Sequence, residues 1–324
     1  MMRVLVTGSS SMIGRLVAEK LRDRGDEVTV LQRSAVDIDG VEQVNGSVTD
    51  PGIVHQALEG QDAVIHLAAK VDITGAWEDF VAVNVEGTST MIAGAKDAGV
   101  SRFVYISTPS VAHGGHSIVG GRAEPADPAH TSGHYATTKA MAEQLALAAS
   151  TDAMPIVAIR PHLVIGAGDT QLIGRILDRA KAERLPLIGS GLALIDATWV
   201  DNAADAMIAA ADRCPEVAGK AFVVSNGEPR TVHELIARIT AAAGVPWSPR
   251  SVPSRVAITG AGLVETVWDR TGRDDEPPMT AFGAEQLSTA HWFDQRETRD
   301  ALGWEPSVTL DEGFRRLATH FASE

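Results

Sequence analysis

Arg3-Val-Leu-Val-Thr-Gly-Ser-Ser-Ser-Met-Ile-Gly14 is a short apolar run that ends in a glycine turn. Helical periodicity follows from Met12 to Arg24, with Ile13, Leu16, Val17 and Leu21 on one side. A strand, a tight turn and a helix N-terminus form an anion site, because free backbone N–H groups and the helix dipole both face the ligand. Gly8 allows the turn, and Gly14 allows the helix to pack closely on the strand. Ser11 stands where the usual dinucleotide fingerprint has its middle glycine. Its Cβ limits how closely a pyrophosphate approaches, while its N–H and hydroxyl remain available as donors.

Working outward, Gly25 ends the helix and Val28-Thr-Val-Leu31 is the next strand. Further apolar runs follow at Val41–Val44, Ala63–His66, Phe103–Ile106 and Ile156–Ile159, separated by helical stretches near 51–59, 77–98 and 134–150. Strands that alternate with helices, and are themselves apolar without alternation, predict a parallel sheet covered on both faces. The expected fold class is therefore α/β: a Rossmann-type doubly wound parallel sheet with a smaller C-terminal substrate-binding region. The expected division is 1–165 for the dinucleotide-binding part and 166–324 for the substrate part, with some segments returning to the core. Beyond Arg160-Pro161 the pattern loosens. Helices near 171–183, 201–212, 231–243 and 311–321 and short strands near 187 and 197 remain, with one possible helix near 254–270 in a stretch rich in Pro, Gly and Trp.

Composition excludes several classes. The 324 residues are 44% hydrophobic and 22% charged, as in soluble globular proteins. No run of about 18 apolar residues occurs, so no membrane span is expected. A net charge of −14 argues against a nucleic-acid binder or an anionic-lipid surface. Cys214 is the only cysteine, which excludes an internal disulfide and fits a cytoplasmic location. The ten histidines show no metal-ligand spacing, and His113 with His116 reads as a loop pair.

Tyr135 and Lys139, in His134-Tyr-Ala-Thr-Thr-Lys139, lie four apart and so on one helix face. A phenol has a pKa of about 10 and is a poor base near neutrality. A nearby ammonium favours the phenolate and lowers that value, so the pair can exchange a proton with an alcohol. At the end of the second strand, Gln32 takes the place of a ribose-binding carboxylate and Arg33 follows. A guanidinium there suits a 2′-phosphate, so NADP(H) is favoured over NAD(H).

Together these residues resemble the extended short-chain dehydrogenase/reductase superfamily over nearly the whole chain. The resemblance is carried by Thr7 to Gly14, His66-Leu-Ala-Ala69, Asn84-Val-Glu-Gly-Thr88, Tyr105-Ile-Ser-Thr108, Tyr135 to Lys139, and Arg160-Pro161 with Gly166-Ala-Gly-Asp169. A closer similarity is to the 3β-hydroxysteroid dehydrogenase-like branch, which includes the long-chain β-keto acid reductases of bacterial olefin synthesis. Ser107-Thr-Pro-Ser-Val111, Arg160-Pro-His-Leu-Val164, Gly168-Asp-Thr170, Val200-Asp-Asn-Ala203, Pro277-Pro-Met-Thr280 and His291-Trp-Phe-Asp294 carry it. The resemblance implies Tyr135 as acid/base, with Lys139 lowering its pKa and holding the nicotinamide ribose. It implies a hydroxyl at the end of the fifth strand on the substrate oxygen. Ser107 and Thr108 both offer one; counted back from Gly114 the segment is one residue longer than in many relatives, which leaves both open, with Thr108 taken first and Ser107 second. Gly8, Ser10, Ser11, Met12, Ile13, Gly14, Arg33, Leu67, Ala68, Ala69, Asn84 and Ile106 would line the cofactor, and Pro161, His162 and Leu163 would pass its nicotinamide amide.

The expected activity is NAD(P)-dependent interconversion of a hydroxyl and a ketone on an apolar, sterol-like or long-chain acyl, small-molecule substrate. Sugar-nucleotide epimerases and dehydratases are the rivals. Pro109 and Ser110 stand where a dehydratase wants carboxylates, which leaves epimerisation open. A non-catalytic NADP(H)-binding redox sensor is a rival of another class, and the intact Tyr135 and Lys139 count against it. The apolar excess of 245–290, including Trp247, Val256, Leu263, Val267, Trp268 and Phe282, favours an apolar ligand. Closure of a small core explains those residues equally, as packing explains the six tryptophans. Arg250, Arg255, Arg270 and Arg273 are the basic groups there. Lys70 and Asp72 read as a solvated loop near the cleft. A homodimer through the helices near 77–98 and 134–150 is expected, with Leu145, Ala146 and Ala149 as candidate face residues.

Overall fold

Residues buried on both faces make the central strands. β1 (Arg3–Thr7) sends Val4 and Val6 to one side and Leu5 to the other, all fully buried. The computed structural model describes residues 1–72, 75–113, 115–271 and 279–323. Gly114, Arg273, Pro277 and Pro278 lie outside the described residues, as does the side chain of Arg270. In chain order β1 is followed by α1 (Met12–Asp23), β2 (Glu27–Gln32), β3 (Glu42–Asn45), α2 (Pro51–Leu58) and β4 (Ala63–His66). The next helix runs as α3 (Trp77–Phe80), a π-helical turn (Val81–Glu86) and α4 (Gly87–Asp97). Then come β5 (Arg102–Ile106), a short 3-10 turn (Pro109–Ala112), β6 (Ile118–Gly121), α5 (Gly133–Ala148), β7 (Ile156–Pro161) and β8 (Val164–Ile165).

The C-terminal half contributes α6 (Leu172–Lys181), β9 (Leu187–Ile188), β10 (Leu194–Ile195), β11 (Thr198–Trp199), α7 (Val200–Asp212), β12 (Ala221–Val224), β13 (Arg230–Thr231) and α8 (Val232–Ala242). β14 (Ser251–Val252), α9 (Ser254–Thr271), α10 (Ala281–Gln286), β15 (His291–Phe293), α11 (Arg296–Leu302) and α12 (Leu310–Ser323) complete it. The main sheet has the order β12-β7-β5-β4-β1-β2-β3, every pair parallel. This is the Rossmann-type α/β fold, doubly wound, with one strand added beyond β7. α1 and α7 cover one face through Val17, Leu21 and Met207. α2, α4 and α5 cover the other through Leu58, Met91 and Ala146.

Two segments from beyond residue 166, α7 and β12, return to this sheet. β12 has only four residues, and its Ala221 start gave no strand signal in the sequence. A third core, built on Trp199, Leu177, Leu235, Ile236 and Leu317, holds α6, α8 and α12, and Trp247 joins it with its indole N–H on the Leu185 carbonyl. A second sheet, β13-β10-β15-β6, stands beside it. Val256, Leu263 and Val267 do not close that core: they lie on the outer side of α9, 61%, 65% and 52% exposed. Ala146 is fully buried within the chain, so it is not available to a dimer face, whereas Leu145 and Ala149 are half-buried.

Beneath α5 lies an ion pair cut off from solvent. Arg160 donates to Glu143 through Nε at 2.9 Å and Nη2 at 2.5 Å, both side chains 1% exposed, and through Nη1 to the Glu124 carbonyl at 2.7 Å. Removing one partner strands the other charge in a dry site. Glu143→Leu is expected to destabilise the fold by about 3–5 kcal/mol in urea unfolding. A loss under about 1 kcal/mol would show that Arg160 finds water or another acceptor.

Candidate functional site

The carboxyl ends of parallel strands are where open α/β sheets bind ligands. The candidate residues gather there. Gly8 to Gly14 follow β1, Arg33 follows β2, Leu67 to Ala69 follow β4, Ser107 and Thr108 follow β5, and Pro161 to Leu163 end and follow β7. α5 brings Tyr135 and Lys139 to the same edge.

The glycine turn is closed by backbone contact. Gly8 has φ of +78°, and a Cβ there would meet the Ala68 N at 3.0 Å. A Cβ on Gly14 would meet the Gly8 carbonyl oxygen at 2.4 Å, so α1 approaches β1 only because position 14 has no side chain. Ser11 caps α1: its Oγ accepts from the Gly14 N–H at 3.1 Å and donates to the Gly8 carbonyl at 2.8 Å. The hydroxyl is thus committed to the turn rather than left for a phosphate. The first N–H groups of α1, on Met12 and Ile13, have no intrahelical partner and fit a pyrophosphate. Ser10 is exposed at the mouth of the turn. Gln32 is buried, with its Nε2 on the Ser34 carbonyl, while the Arg33 side chain is exposed.

A buried relay fixes the strand ends. The Thr88 hydroxyl donates to the Asn84 carbonyl at 2.6 Å, so it must accept from His66 Nε2 at 3.2 Å. His66 Nδ1 is then the acceptor, 2.8 Å from the Thr7 hydroxyl, which also accepts the Ala68 N–H. Burial and the nearby Lys139 push the His66 pKa down to about 3, so the ring is a neutral tie. Asn84, in the π-helical turn, accepts the Lys70 N–H at 2.7 Å and donates to the Lys70 carbonyl and to Thr138. It is 1% exposed and clamps the loop after β4 to the helix turn that carries Lys139. A single unbroken helix over 77–98 was expected; the π turn puts Asn84 on that inward path.

Between the two candidate hydroxyls the geometry divides roles. The Thr108 hydroxyl lies beside the Tyr135 phenol, donates to the Ser110 hydroxyl at 3.3 Å and caps the turn that follows. Ser107 Oγ is buried without a partner. Lys139, 2% exposed, reaches past Tyr135: its Nζ donates to the Ile106 carbonyl at 2.5 Å and lies 4.2 Å from the centroid of the Tyr105 ring. The expected lowering of the Tyr135 pKa therefore does not occur in the ligand-free chain. Burial pushes the phenol up to about 12, with the Thr108 contact pulling the other way. Burial likewise pushes Lys139 down to about 7, opposed by Glu143 one helical turn along.

His162 donates Nδ1–H to the Asp196 carbonyl at 2.7 Å, and burial lowers its pKa to about 4. Leu163 has φ of +41°, a left-handed conformation uncommon outside glycine. Lys70 pairs with Asp72 at 2.9 Å in a loop, as expected of solvated neighbours. Sequence reasoning missed the His66 relay, the Glu143–Arg160 pair and Tyr105 beneath Lys139. Burial was their only signal, and a sequence does not print it. A cavity of about 440 Å³ beside the small sheet, lined by Asp196, Trp292, Gln295 and Arg299 among others, contains none of the catalytic candidates.

With that geometry in view, the profile of the NAD dependent epimerase/dehydratase family matches residues 4–225. The chain is 38% identical over 330 residues to a 2-alkyl-3-oxoalkanoate reductase of Stenotrophomonas maltophilia, covering 99% of this chain and 100% of the relative. It is 29% identical over 341 residues to a 3 beta-hydroxysteroid dehydrogenase/Delta 5-->4-isomerase of Mycobacterium tuberculosis, covering 99% and 90%. The solved structure described as "Crystal structure of gox2253" superposes with a TM-score of 0.80 at 22% identity, over 100% of this chain and 98% of that one, which supports the fold. The chain belongs to the NAD dependent epimerase/dehydratase family, within the extended short-chain dehydrogenase/reductase superfamily. It is an NAD(P)-dependent oxidoreductase of the hydroxyl/ketone type. No helix among the described residues is long and apolar enough to cross a membrane.

With Tyr135 as the acid and Lys139 as its cationic partner, the roles that the resemblance implies, carbonyl reduction would need the phenol protonated and the ammonium charged. Tyr135 keeps its proton to about 12, so the alkaline limit belongs to Lys139, whose ammonium is lost as pH rises through about 7. The reductive kcat/KM for the cofactor, which reports the unliganded enzyme, is expected to be level below neutrality and to fall about tenfold per pH unit above it. A profile level to about pH 9 would show that the ammonium does not limit turnover.

Proposed function

We propose that this enzyme reduces the ketone of a 2-alkyl-3-oxo acid with long apolar chains, using NADPH. One observation supports the chemistry: Thr108 at the carboxyl end of β5 and Tyr135 on α5 lie beside each other, above the buried Lys139, so two hydroxyls face one place where a ketone oxygen can lie. The full-length similarity to the Stenotrophomonas maltophilia reductase supports the substrate class. A second relative of the same name, from Shewanella oneidensis, is 34% identical over 326 residues.

The bound nicotinamide supplies the hydride. Tyr135 protonates the oxygen as negative charge develops there, and Thr108 donates to the same oxygen. Lys139, seated on the Ile106 carbonyl, would face the cofactor ribose and stabilise the proton-poor phenol that remains. Gly8, Met12, Ile13 and Gly14 would hold the pyrophosphate, Leu67 to Ala69 and Ile106 would line the cofactor, and Pro161 to Leu163 would pass its amide. Arg33 takes the 2′-phosphate, since its exposed guanidinium follows a strand end where Gln32 offers no carboxylate to the ribose.

The substrate reading is tested by assaying long-chain 2-alkyl-3-hydroxy acids, sterols and UDP-hexoses with each cofactor and following the reduced nicotinamide. Oxidation of the hydroxy acid is the expected result; epimerisation of a UDP-hexose without it would overturn the reading. In the same assay Tyr135→Phe is expected to lose at least about a hundredfold in kcat with cofactor binding intact. Near-normal turnover would remove Tyr135 from the chemistry.

Cofactor choice is tested separately. Arg33→Ala is expected to weaken NADPH by roughly tenfold and NADH little, because one charge-assisted contact is lost. Equal losses in fluorescence titrations would mean that Arg33 does not read the phosphate.

A further inference from the structure

Tyr105 is one of only two tyrosines and lies fully buried in the middle of the sheet. Its hydroxyl lies near Thr88 but in no well-formed hydrogen bond, since the Thr88 hydroxyl is already given to Asn84 and His66. A buried phenol without a partner costs stability, and phenylalanine would fill the same space without that cost. The aromatic ring is therefore the useful part of the side chain, and what lies over its face is the Lys139 ammonium, 4.2 Å from the centroid. The ammonium has one hydrogen-bond acceptor, the Ile106 carbonyl, on the residue following Tyr105. An ammonium that has given up its water for one acceptor needs further negative potential, and a ring face supplies it.

We propose that Tyr105 is a positioning residue for Lys139: its ring face and the adjacent Ile106 carbonyl form a two-sided seat that keeps the buried ammonium charged and aimed at the cofactor edge. The proposal rests on the reading of Tyr135 and Lys139 as the catalytic pair. Other groups face Lys139 from each packed element. Glu143 on α5 favours the charged form, but it is shared with Arg160 on β7 through two hydrogen bonds. His66 on β4 is neutral and adds no negative charge. Tyr135 on α5 keeps its proton. Among these neighbours the ring face is the source of negative potential that no other cation occupies. Burial lowers the Lys139 pKa and Glu143 opposes it, and the ring face adds to that opposition.

The test is a direct titration of Lys139. Its Cε resonance is followed by NMR in protein with isotope-labelled lysine, assigned by its loss in Lys139→Met. Tyr105→Phe is expected to leave the Lys139 pKa unchanged within a few tenths of a unit, while Tyr105→Leu lowers it by about one unit. The alkaline limb of kcat/KM for the cofactor is expected to move down by the same amount in Tyr105→Leu and to stay in place in Tyr105→Phe. Should Tyr105→Leu fail to fold, ring-fluorinated phenylalanines at position 105 keep the shape and drain the face. A stepwise fall in the Lys139 pKa with fluorination supports the proposal. An unchanged Lys139 titration in Tyr105→Leu, or across the fluorinated series, overturns it. Undiminished turnover of Lys139→Met would instead overturn the catalytic pair itself, so the two failures are distinguishable.

Discussion

A lysine ammonium held at 2% exposure is costly, and much of the surrounding architecture answers that cost. The Asn84 clamp holds the lysine's helix turn against the loop after β4. The neutral His66, wired through Thr7 and Thr88, keeps a second positive charge out of the neighbourhood. Glu143 lies one turn along α5 from Lys139, and Arg160 holds it in place from the neighbouring strand. Each partner belongs to a different element, so the position of one ammonium ties β4, β5, β7, α5 and the π-helical turn together. That coupling explains why irregular backbone is tolerated at Asn84: a regular helix would carry its amide around the axis and away from the Lys70 backbone.

The sheet was legible because its signals are local. Val4-Leu-Val6, Ala63-Val-Ile65 and Phe103-Val-Tyr-Ile106 are apolar on every position, which a strand buried on both faces requires. The position of Gly14 against Gly8 was legible for the same reason, since only a missing Cβ permits that approach. β12 was not, because four residues starting at Ala221 give too short a pattern, and their pairing with β7 is set by tertiary contact. The small strands β6, β10 and β15 form ladders of a few residues that no periodicity announces.

At the candidate site, the gathering of the residues at one edge of the sheet was legible and their electrostatics was not. Tyr135, Lys139 and Thr108 stand at one strand end, as their spacing and the resemblance implied. The direction of the Tyr135 pKa was misjudged because spacing on a helix places two side chains on one face without saying which way the longer one turns. Lys139 turns to Ile106 and Tyr105, and the phenol is left with burial and one hydroxyl. Ser11 was misjudged in a similar way: its hydroxyl, free on paper, is drawn into capping α1.

Leu163 shows the same logic in the backbone. Its left-handed φ of +41° costs a non-glycine residue about 1–2 kcal/mol, so the surrounding structure must hold it there. Three bonds do so on either side. The His162 N–H donates to the Val224 carbonyl at 2.9 Å, tying the residue before to β12, and the His162 ring is fixed to Asp196. The Thr198 N–H then donates to the Leu163 carbonyl at 3.2 Å, opening the β8–β11 pair. The strain thus lies where the chain leaves the main sheet and enters the C-terminal region. A glycine would relax it, but would also free the hinge between the end of β7 and the segments of the C-terminal region. A strained leucine keeps that junction in one conformation, with its side chain packed partly on the third core.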